Sequence, residues 1–531
     1  MKYKNKIKFM IKTSKIFKFS IFLSLIFIYS CSQTQKDLSK FTPKSSYGYL
    51  ITEEPQASVV GIEVLKNGGS AADAVVASFF MLSVTYPVAA GLGSGGLCVV
   101  HDRLTGTSES IDFRNFPILK DSIIGVPRAV RALSGLQARY GKLKWSSVVL
   151  PSERVARFGF QASRSTSNIA KNFSRLPGKQ NFTPFVVDDK PIRQGEVIIQ
   201  NDLAETLSSI RLRGGGDLYF GELAKKFYTE LKKYGLEVDF EMLRDFQPSW
   251  QNTKNSITNN YSILSPYQGS TASLSNQYII KNLIDNDDFN NSNEINKYLL
   301  LAEFSGKASY FGYLNNFFQE KSFKIGGEEV DDSVKKSKFP DLSMWKNAGH
   351  DGTTSIVAMD KFGQSISCGF SMGSPFGIGK QINGLGFSPG LAFSDSKNNW
   401  LESGIDFISP LIITDKFNKE VIFIIAGTKG PSTVSSVSSV VLNTLSNKSL
   451  DKSINMPRIY FPFNPNEIWV ESSIDDEFLK LLKINNVRYT KILKLGHINA
   501  IYCPNSSIDL LTCEYLSDPR GSGLALSGEL F

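Results

Sequence analysis

The sequence predicts an α+β domain in which stacked antiparallel sheets are covered by helices. Two strand–turn–strand patterns in the C-terminal third carry that reading: "TTSIVAMD" then "QSISCGFSM", and "IDFISPLIIT" then "EVIFIIAGT". In the first, Ile356, Ala358 and Asp360 alternate with Ser355, Val357 and Met359, the period-two pattern of a strand. Helical patterns lie on either side of these hairpins in the chain, which places helices outside the sheets.

Taken in order, residues 55–66, "PQASVVGIEVLK", carry a helical apolar pattern that stops at Asn67-Gly68-Gly69. A second helix starts at Ser70 and ends near Pro87, with Ala71, Ala72, Ala74 and Ala77 giving it a face small enough to pack closely on a sheet. Gly91, Gly93, Gly95 and Gly96 then form a loop feeding a buried strand. They spell neither GxGxxG nor a Walker pattern, and the loop leads from helix to strand, so the case for a phosphate cradle is weak. Residues 201–250 read as mostly helical, and the polar stretch 283–297 as a surface insertion. Lys361-Phe362-Gly363 and Asp415-Lys416-Phe417-Asn418 are the hairpin turns, and a helix with Pro431 near its first turn follows the second hairpin. No internal repeat is present.

The chain of 531 residues carries a net charge of +9, but seven lysines stand before residue 20 with no acidic residue or Arg before residue 31. The remainder therefore carries 9 − 7 = +2, which gives no support to nucleic-acid binding. The basic start leads into an apolar run from Phe19 to Tyr29, too short for the ~20 residues that span a bilayer, and reads as a secretory signal. Ile28-Tyr29-Ser30-Cys31 resembles a bacterial lipoprotein cleavage site, with Cys31 as the lipidated residue. The expected organisation is a signal peptide over 1–30 and a polar tether over 31–48, with export across the inner membrane and a lipid anchor in the periplasm. Cys98 and Cys368 lie in apolar runs and read as buried, whereas Cys503 and Cys513 could pair in an oxidising compartment. His101, His350 and His497 are the three histidines and no HExxH occurs, so no metal site is expected.

The motifs "NGGSAADAVVASFFMLSVTYPVAAGLGSGG" (67–96), "DFR" (112–114), "GVP" (125–127), "LAETL" (203–207), "DGTTSIVAMDKFGQSIS" (351–367), "FGIG" (376–379) and "SDPRGSG" (517–523) occur in the order seen in γ-glutamyltranspeptidases. The chain resembles that family from about residue 43 to its end. The resemblance implies a four-layer αββα N-terminal nucleophile hydrolase sandwich, formed by two subunits cut from one precursor: a large subunit over 49–352 and a small one over 353–531. It places the cut between Gly352 and Thr353, making Thr353 the nucleophile. That role suits the residue, because cleavage would give Thr353 an α-amine with a pKa of about 7.7–8, able to take the hydroxyl proton near neutral pH without a histidine. Its β-branch restricts χ1, and Gly352 would let the precursor backbone bend toward the hydroxyl.

The resemblance further implies that Arg114 grips a substrate α-carboxylate, for which a guanidinium fork is suited; a surface ion pair with Asp112 is the alternative. It implies that Ser371 hydrogen-bonds the nucleophile, an ordinary strand hydroxyl being the alternative, and that Gly430 supplies an oxyanion N–H; Thr354, whose side chain points away from that of Thr353 on a strand, is expected to support processing or orient the site. Several positions depart from the family pattern. Ser355 stands where His is frequent, Pro431 replaces a glycine and removes an N–H, Asp395 is a displaced candidate for the substrate amine because Phe393 takes the usual acidic position, and Asp406-Phe407 replaces a Ser pair. The expected activity is cleavage of γ-glutamyl amides of the glutathione type through a threonyl ester, with transfer to water or an amine. No metal, organic cofactor or nucleic-acid partner is expected. The alternatives are a cephalosporin-acylase-like amidase and a non-catalytic envelope scaffold.

Overall fold

The computed structural model describes residues 46–529 apart from 120–121, 175–181, 183, 189, 234, 237, 239, 318–340, 344–351, 393–406, 447–448, 463 and 506–509. The leader, Cys31, His350, Asp395 and Asp406 therefore lie outside the described residues. Two large antiparallel sheets form the centre. The first contains β1 (Ser46–Thr52), β2 (Gly95–Asp102), β3 (Thr107–Asp112) and β4 (Ser249–Asn252). The second takes up β5 (Lys254–Ile257) and β6 (Tyr261–Ser265), and the chain then returns to the first with β7 (Thr353–Asp360) and β8 (Ser365–Ser371). β9 (Ser409–Asp415), β10 (Val421–Thr428), β11 (His497–Tyr502) and β12 (Glu514–Ser517) complete the second sheet, and β13 (Leu524–Glu529) closes the edge of the first. The strand orders are β13-β1-β7-β8-β2-β3-β4 and β12-β11-β10-β9-β6-β5.

Alternation along each strand builds the layers. Val357 and Met359 of β7 pack between the sheets against Ile412 and Ile424, while Ile356 and Ala358 face Val76 and Phe79 on the helical side. In the second sheet Leu411, Ile413, Phe423 and Ile425 point outward onto Ile280 and Val437. Helices α1 (Pro55–Lys66) and α2 (Ala71–Thr85) cover the first sheet, backed by α3 (Ala129–Tyr140) and α4 (Trp145–Phe158). Helices α5 (Thr271–Leu283), α6 (Glu294–Phe317) and α7 (Thr433–Leu445) cover the second. The order helix, sheet, sheet, helix is the αββα sandwich expected from the sequence.

Helix α2 starts where its sequence says, because Ser70 and Asp73 cap it reciprocally, and all of its residues are buried. The glycine-rich loop before β2 serves packing. A Cβ on Gly93 would stand 2.1 Å from the Ser388 carbonyl oxygen, and one on Gly96 2.3 Å from that of Gly369 in the neighbouring strand β8.

Four sequence expectations change. Strand β1 begins at Ser46, inside the segment read as tether, and pairs with β7. Residues 283–297 are a surface insertion only in part: Asp287–Asn291 is a short helix that buries Phe289, and α6 begins at Glu294. Cys98 and Cys368 are buried as expected but also joined in a disulfide, and Cys503 pairs with Cys513. Finally, Gly352 is needed for space: a Cβ there would stand 2.8 Å from the Ser374 carbonyl carbon and 3.1 Å from the Pro375 nitrogen.

Gly96→Ala is expected to destabilise the chain by roughly 1–3 kcal/mol, since the clash is with backbone that cannot rotate aside. The midpoint of urea unfolding against the parent chain measures it, and an unchanged midpoint would remove the packing explanation.

Candidate active site

Thr353 heads β7 at the edge of the sandwich where strands of both sheets end. It pairs directly with Ser371 at the end of β8, which in turn pairs with Gly95 at the start of β2. The ladder runs on through Gly96 and Phe113, which exchange both backbone hydrogen bonds, so Arg114 falls opposite Gly95. Directly opposed residues share a face. Thr353, Ser371 and Arg114 therefore lie in one row on the inter-sheet side, with Arg114 three strand spacings, roughly 14 Å, from Thr353 along the sheet.

With the chain continuous through Gly352, Thr353 is 2% exposed. Its Oγ accepts a hydrogen bond from the Lys429 N–H at 3.0 Å, at the point where β10 leaves the second sheet. The Gly352 carbonyl oxygen, next to the Thr353 nitrogen, accepts from the Met372 N–H at 2.9 Å. The Ser371 Oγ accepts from the Gly373 N–H at 2.9 Å, so Ser371 and Thr353 are neighbours held by separate donors. Thr354 points the other way, into the helical layer, where its buried Oγ lacks a hydrogen-bond partner among the described residues.

Gly430 follows Lys429 with φ 86°, and Lys429 itself has φ 73°. Two successive left-handed residues turn the chain sharply from β10 toward α7, and the non-glycine one costs about 1–2 kcal/mol. The side chain of Lys429 is anchored in compensation: its Nζ lies 3.1 Å from Glu53 Oε2. Glu53 Oε1 accepts from the Thr428 hydroxyl at 2.9 Å and stands 3.2 Å from His497 Nδ1, without hydrogen-bond alignment to the ring. Burial alone would raise the Glu53 carboxyl, but the neighbouring His497 ring and Lys429 ammonium outweigh it and carry the pKa down to about 2. Ser355, two residues along β7, receives a hydrogen bond from Asn499 Nδ2 at 2.9 Å, and Asn499 Oδ1 accepts from Ser517 at 2.8 Å.

Arg114 is buried and forked onto Asp112, with Nη2 2.7 Å from Oδ2, and Nη2 also donates to the Gln268 carbonyl at 3.0 Å. The pairing with Asp112 weighed from the sequence exists, but it is buried within the sandwich edge. Burial alone would raise the Asp112 carboxyl; the Arg114 guanidinium outweighs that effect and holds it below the usual range. Phe407 is buried in the core under α5 and α7.

Sequence reading gathered Thr353, Ser371, Gly430 and Arg114, and missed Glu53, Lys429, His497 and Asn499. Glu53 and His497 are far apart in the chain, so no local pattern joins them. The one available signal was the acidic pair Glu53-Glu54 ahead of the first helix, of which only Glu54 is its cap.

A four-layer sandwich with a hydroxyl residue at the head of a central strand, where two sheets end together, defines the N-terminal nucleophile hydrolase architecture. The family model for gamma-glutamyltranspeptidase matches residues 57–528, and the chain belongs to that family. It is 24% identical over 523 residues to a glutathione hydrolase proenzyme of Bacillus subtilis (strain 168), covering 86% of this chain and 87% of the relative. It is 23% identical to the glutathione hydrolase proenzyme of Escherichia coli (strain K12), covering 89% and 92%. The crystal structure of cephalosporin acylase from Bacillus halodurans shares the fold with a TM-score of 0.71 at 19% identity, covering 93% of this chain and 98% of the acylase.

Replacing Glu53 by Gln removes a carboxylate whose folded pKa of about 2 lies below its ordinary 4.5. Its stabilisation is present in full above about pH 4.5 and is lost as pH falls through about 2. Glu53→Gln is therefore expected to cost on the order of 3 kcal/mol at neutral pH. The gap between parent and variant urea midpoints should close as pH is lowered from 5 toward 2.5. A gap independent of pH would deny Glu53 this electrostatic role.

Proposed function

We propose that the chain is exported, lipid-anchored at Cys31, and cuts itself between Gly352 and Thr353 to give large (49–352) and small (353–531) subunits. In the cut, the Thr353 Oγ attacks the Gly352 carbonyl carbon. Charge then develops on the Gly352 oxygen, to which the Met372 N–H already donates. The resulting ester is hydrolysed by water and leaves Thr353 with a free α-amine. That amine takes the hydroxyl proton in each later turnover, and Oγ attacks a substrate amide, releasing the amine and passing the acyl group to water or another amine.

The observation that carries this reading is the arrangement at the head of β7: a buried threonine hydroxyl placed by the Lys429 N–H beside a carbonyl held by the Met372 N–H. Family membership and the relatives named as proenzymes support it. The substrate class we propose is a γ-glutamyl amide of the glutathione type, with Arg114, in the same row as Thr353, taking the α-carboxylate by exchanging its hold on the Gln268 carbonyl. A second reading, an acyl-amide hydrolase resembling cephalosporin acylase, is favoured by two observations: the likeness to that acylase over nearly the whole chain, and a guanidinium whose fork already holds Asp112.

Protein purified from membranes is expected to contain two chains, the smaller beginning Thr-Thr-Ser-Ile, whereas Thr353→Ala stays as one. Intact mass and N-terminal sequencing decide this, and a single uncut wild-type chain would sink the mechanism. For the cut enzyme, a kcat/KM at least about tenfold higher on a γ-glutamyl anilide than on simple acyl amides is expected. The opposite preference selects the second reading, and no turnover of either selects a non-catalytic scaffold.

A further inference from the structure

Cys98 and Cys368 sit directly opposite one another on β2 and β8, and their sulfurs are bonded. They are 270 residues apart in the chain, and the Gly352-Thr353 bond lies between them. We propose that this disulfide is the covalent bond that holds the mature protein together, joining the large subunit through Cys98 to the small subunit through Cys368. The proposal rests on the self-cleavage put forward above.

The topology makes the bond possible without distortion of the sheet. Strands of the first sheet alternate between the two products of the cut: β13 from the small subunit, β1 from the large, β7 and β8 from the small, and β2, β3 and β4 from the large. Within this sheet the two subunits therefore share three lateral strand junctions, β13–β1, β1–β7 and β8–β2, and the disulfide crosses the last; β6–β9 is a fourth junction, in the second sheet. It lies on the helical face, with both cysteines wholly buried, while Thr353 and Ser371 on the same pair of small-subunit strands face the other sheet. Cys503 and Cys513 both belong to the small subunit, so their bond cannot serve this purpose.

Two consequences follow from the chemistry. Formation of the bond passes two electrons and two protons from the thiols of Cys98 and Cys368 to an external disulfide, which leaves as two thiols, so it requires an oxidising compartment. That requirement agrees with export. With the anchor at Cys31 joined through the tether to the large subunit and the nucleophile at the start of the small one, the disulfide also ties the catalytic threonine covalently to the membrane.

The test uses the full chain purified from membranes, alkylated before denaturation so that thiols cannot exchange. Without reductant, intact mass should show one species, heavier than the uncut Thr353→Ala chain by one water once the Thr-to-Ala difference is allowed for. After dithiothreitol it should show two chains, and Cys98→Ser should show two chains without reductant. Two chains from the wild type without reductant would overturn the cross-link while leaving the cut intact. One chain under both conditions would overturn the proposal through its dependence on the cut. A map of disulfide-linked peptides from that chain, or from the wild type if Cys98→Ser fails to fold, then shows whether Cys98 and Cys368 pair, separating failure of the bond from failure of the cut.

Discussion

The site depends on the register in which β7 pairs with its neighbours. With Thr353 opposite Ser371, every second residue of β7 faces the second sheet, and a slip of one would turn the Thr353 hydroxyl into the helices. Apolar burial cannot fix that register alone, because β7 is buried on both faces. Polar contacts at its two ends do so. At the far end the Asp360 carboxylate accepts from the amides of Phe362 and Gln364 in the turn and of Ala71 at the start of α2. Near the site Ser355 is held by Asn499 of the second sheet. A slip would break both sets, and with them the lateral row that runs from Thr353 to Arg114.

The electrostatic organisation behind this edge shows how burial acts in opposite directions on neighbouring groups. Glu53 and Glu54 are adjacent and both buried, and desolvation alone would raise either carboxyl. Glu54 faces the Thr85 hydroxyl and the Ala57 amide, neutral donors, and its pKa stays raised. Glu53 faces Lys429 and His497, and its pKa falls. The "SDPRGSG" stretch continues the same charge network. Arg520 bridges Glu471 and Asp518, and Asp518 also pairs with the fully buried Arg458 at 2.7 Å. Asp518 accepts from the Ile498 N–H, one residue after His497, so the network reaches the start of β11.

What the sequence displayed follows from how far apart the interacting residues are. The hairpins β7–β8 and β9–β10 and the helices at 55–66 and 70–86 rest on local periodicity and local caps, and the structure places them where the patterns do. Strand β1 was hidden because it starts in polar residues, and its strand character comes from pairing with β7 and β13, both distant in sequence. The cysteine pair 98–368 and the grouping of Glu53, Lys429 and His497 were invisible for the same reason: each joins segments that only the sheet order brings together. Gly352 was noted for conformational freedom, whereas its neighbours show that the constraint is the backbone of Ser374 and Pro375. A close approach of that kind leaves no local trace in the chain.

The departure at Pro431 takes on a different meaning once the turn is seen. A proline at the entry to a helix gives up an N–H that has no helical partner, and here it precedes α7 while its own carbonyl accepts from Val434. The amide lost at 431 is thus absent from a position where the helix does not need it. The amide that meets Thr353 belongs to Lys429, two residues earlier, and it points at the hydroxyl because the backbone there is left-handed. Lysine does not favour that conformation, and the buried Glu53 that holds its ammonium is what makes it tenable at this turn. The amide that meets the Thr353 hydroxyl therefore comes from a residue fixed by an ion pair, which couples the geometry at Thr353 to the charge on Glu53.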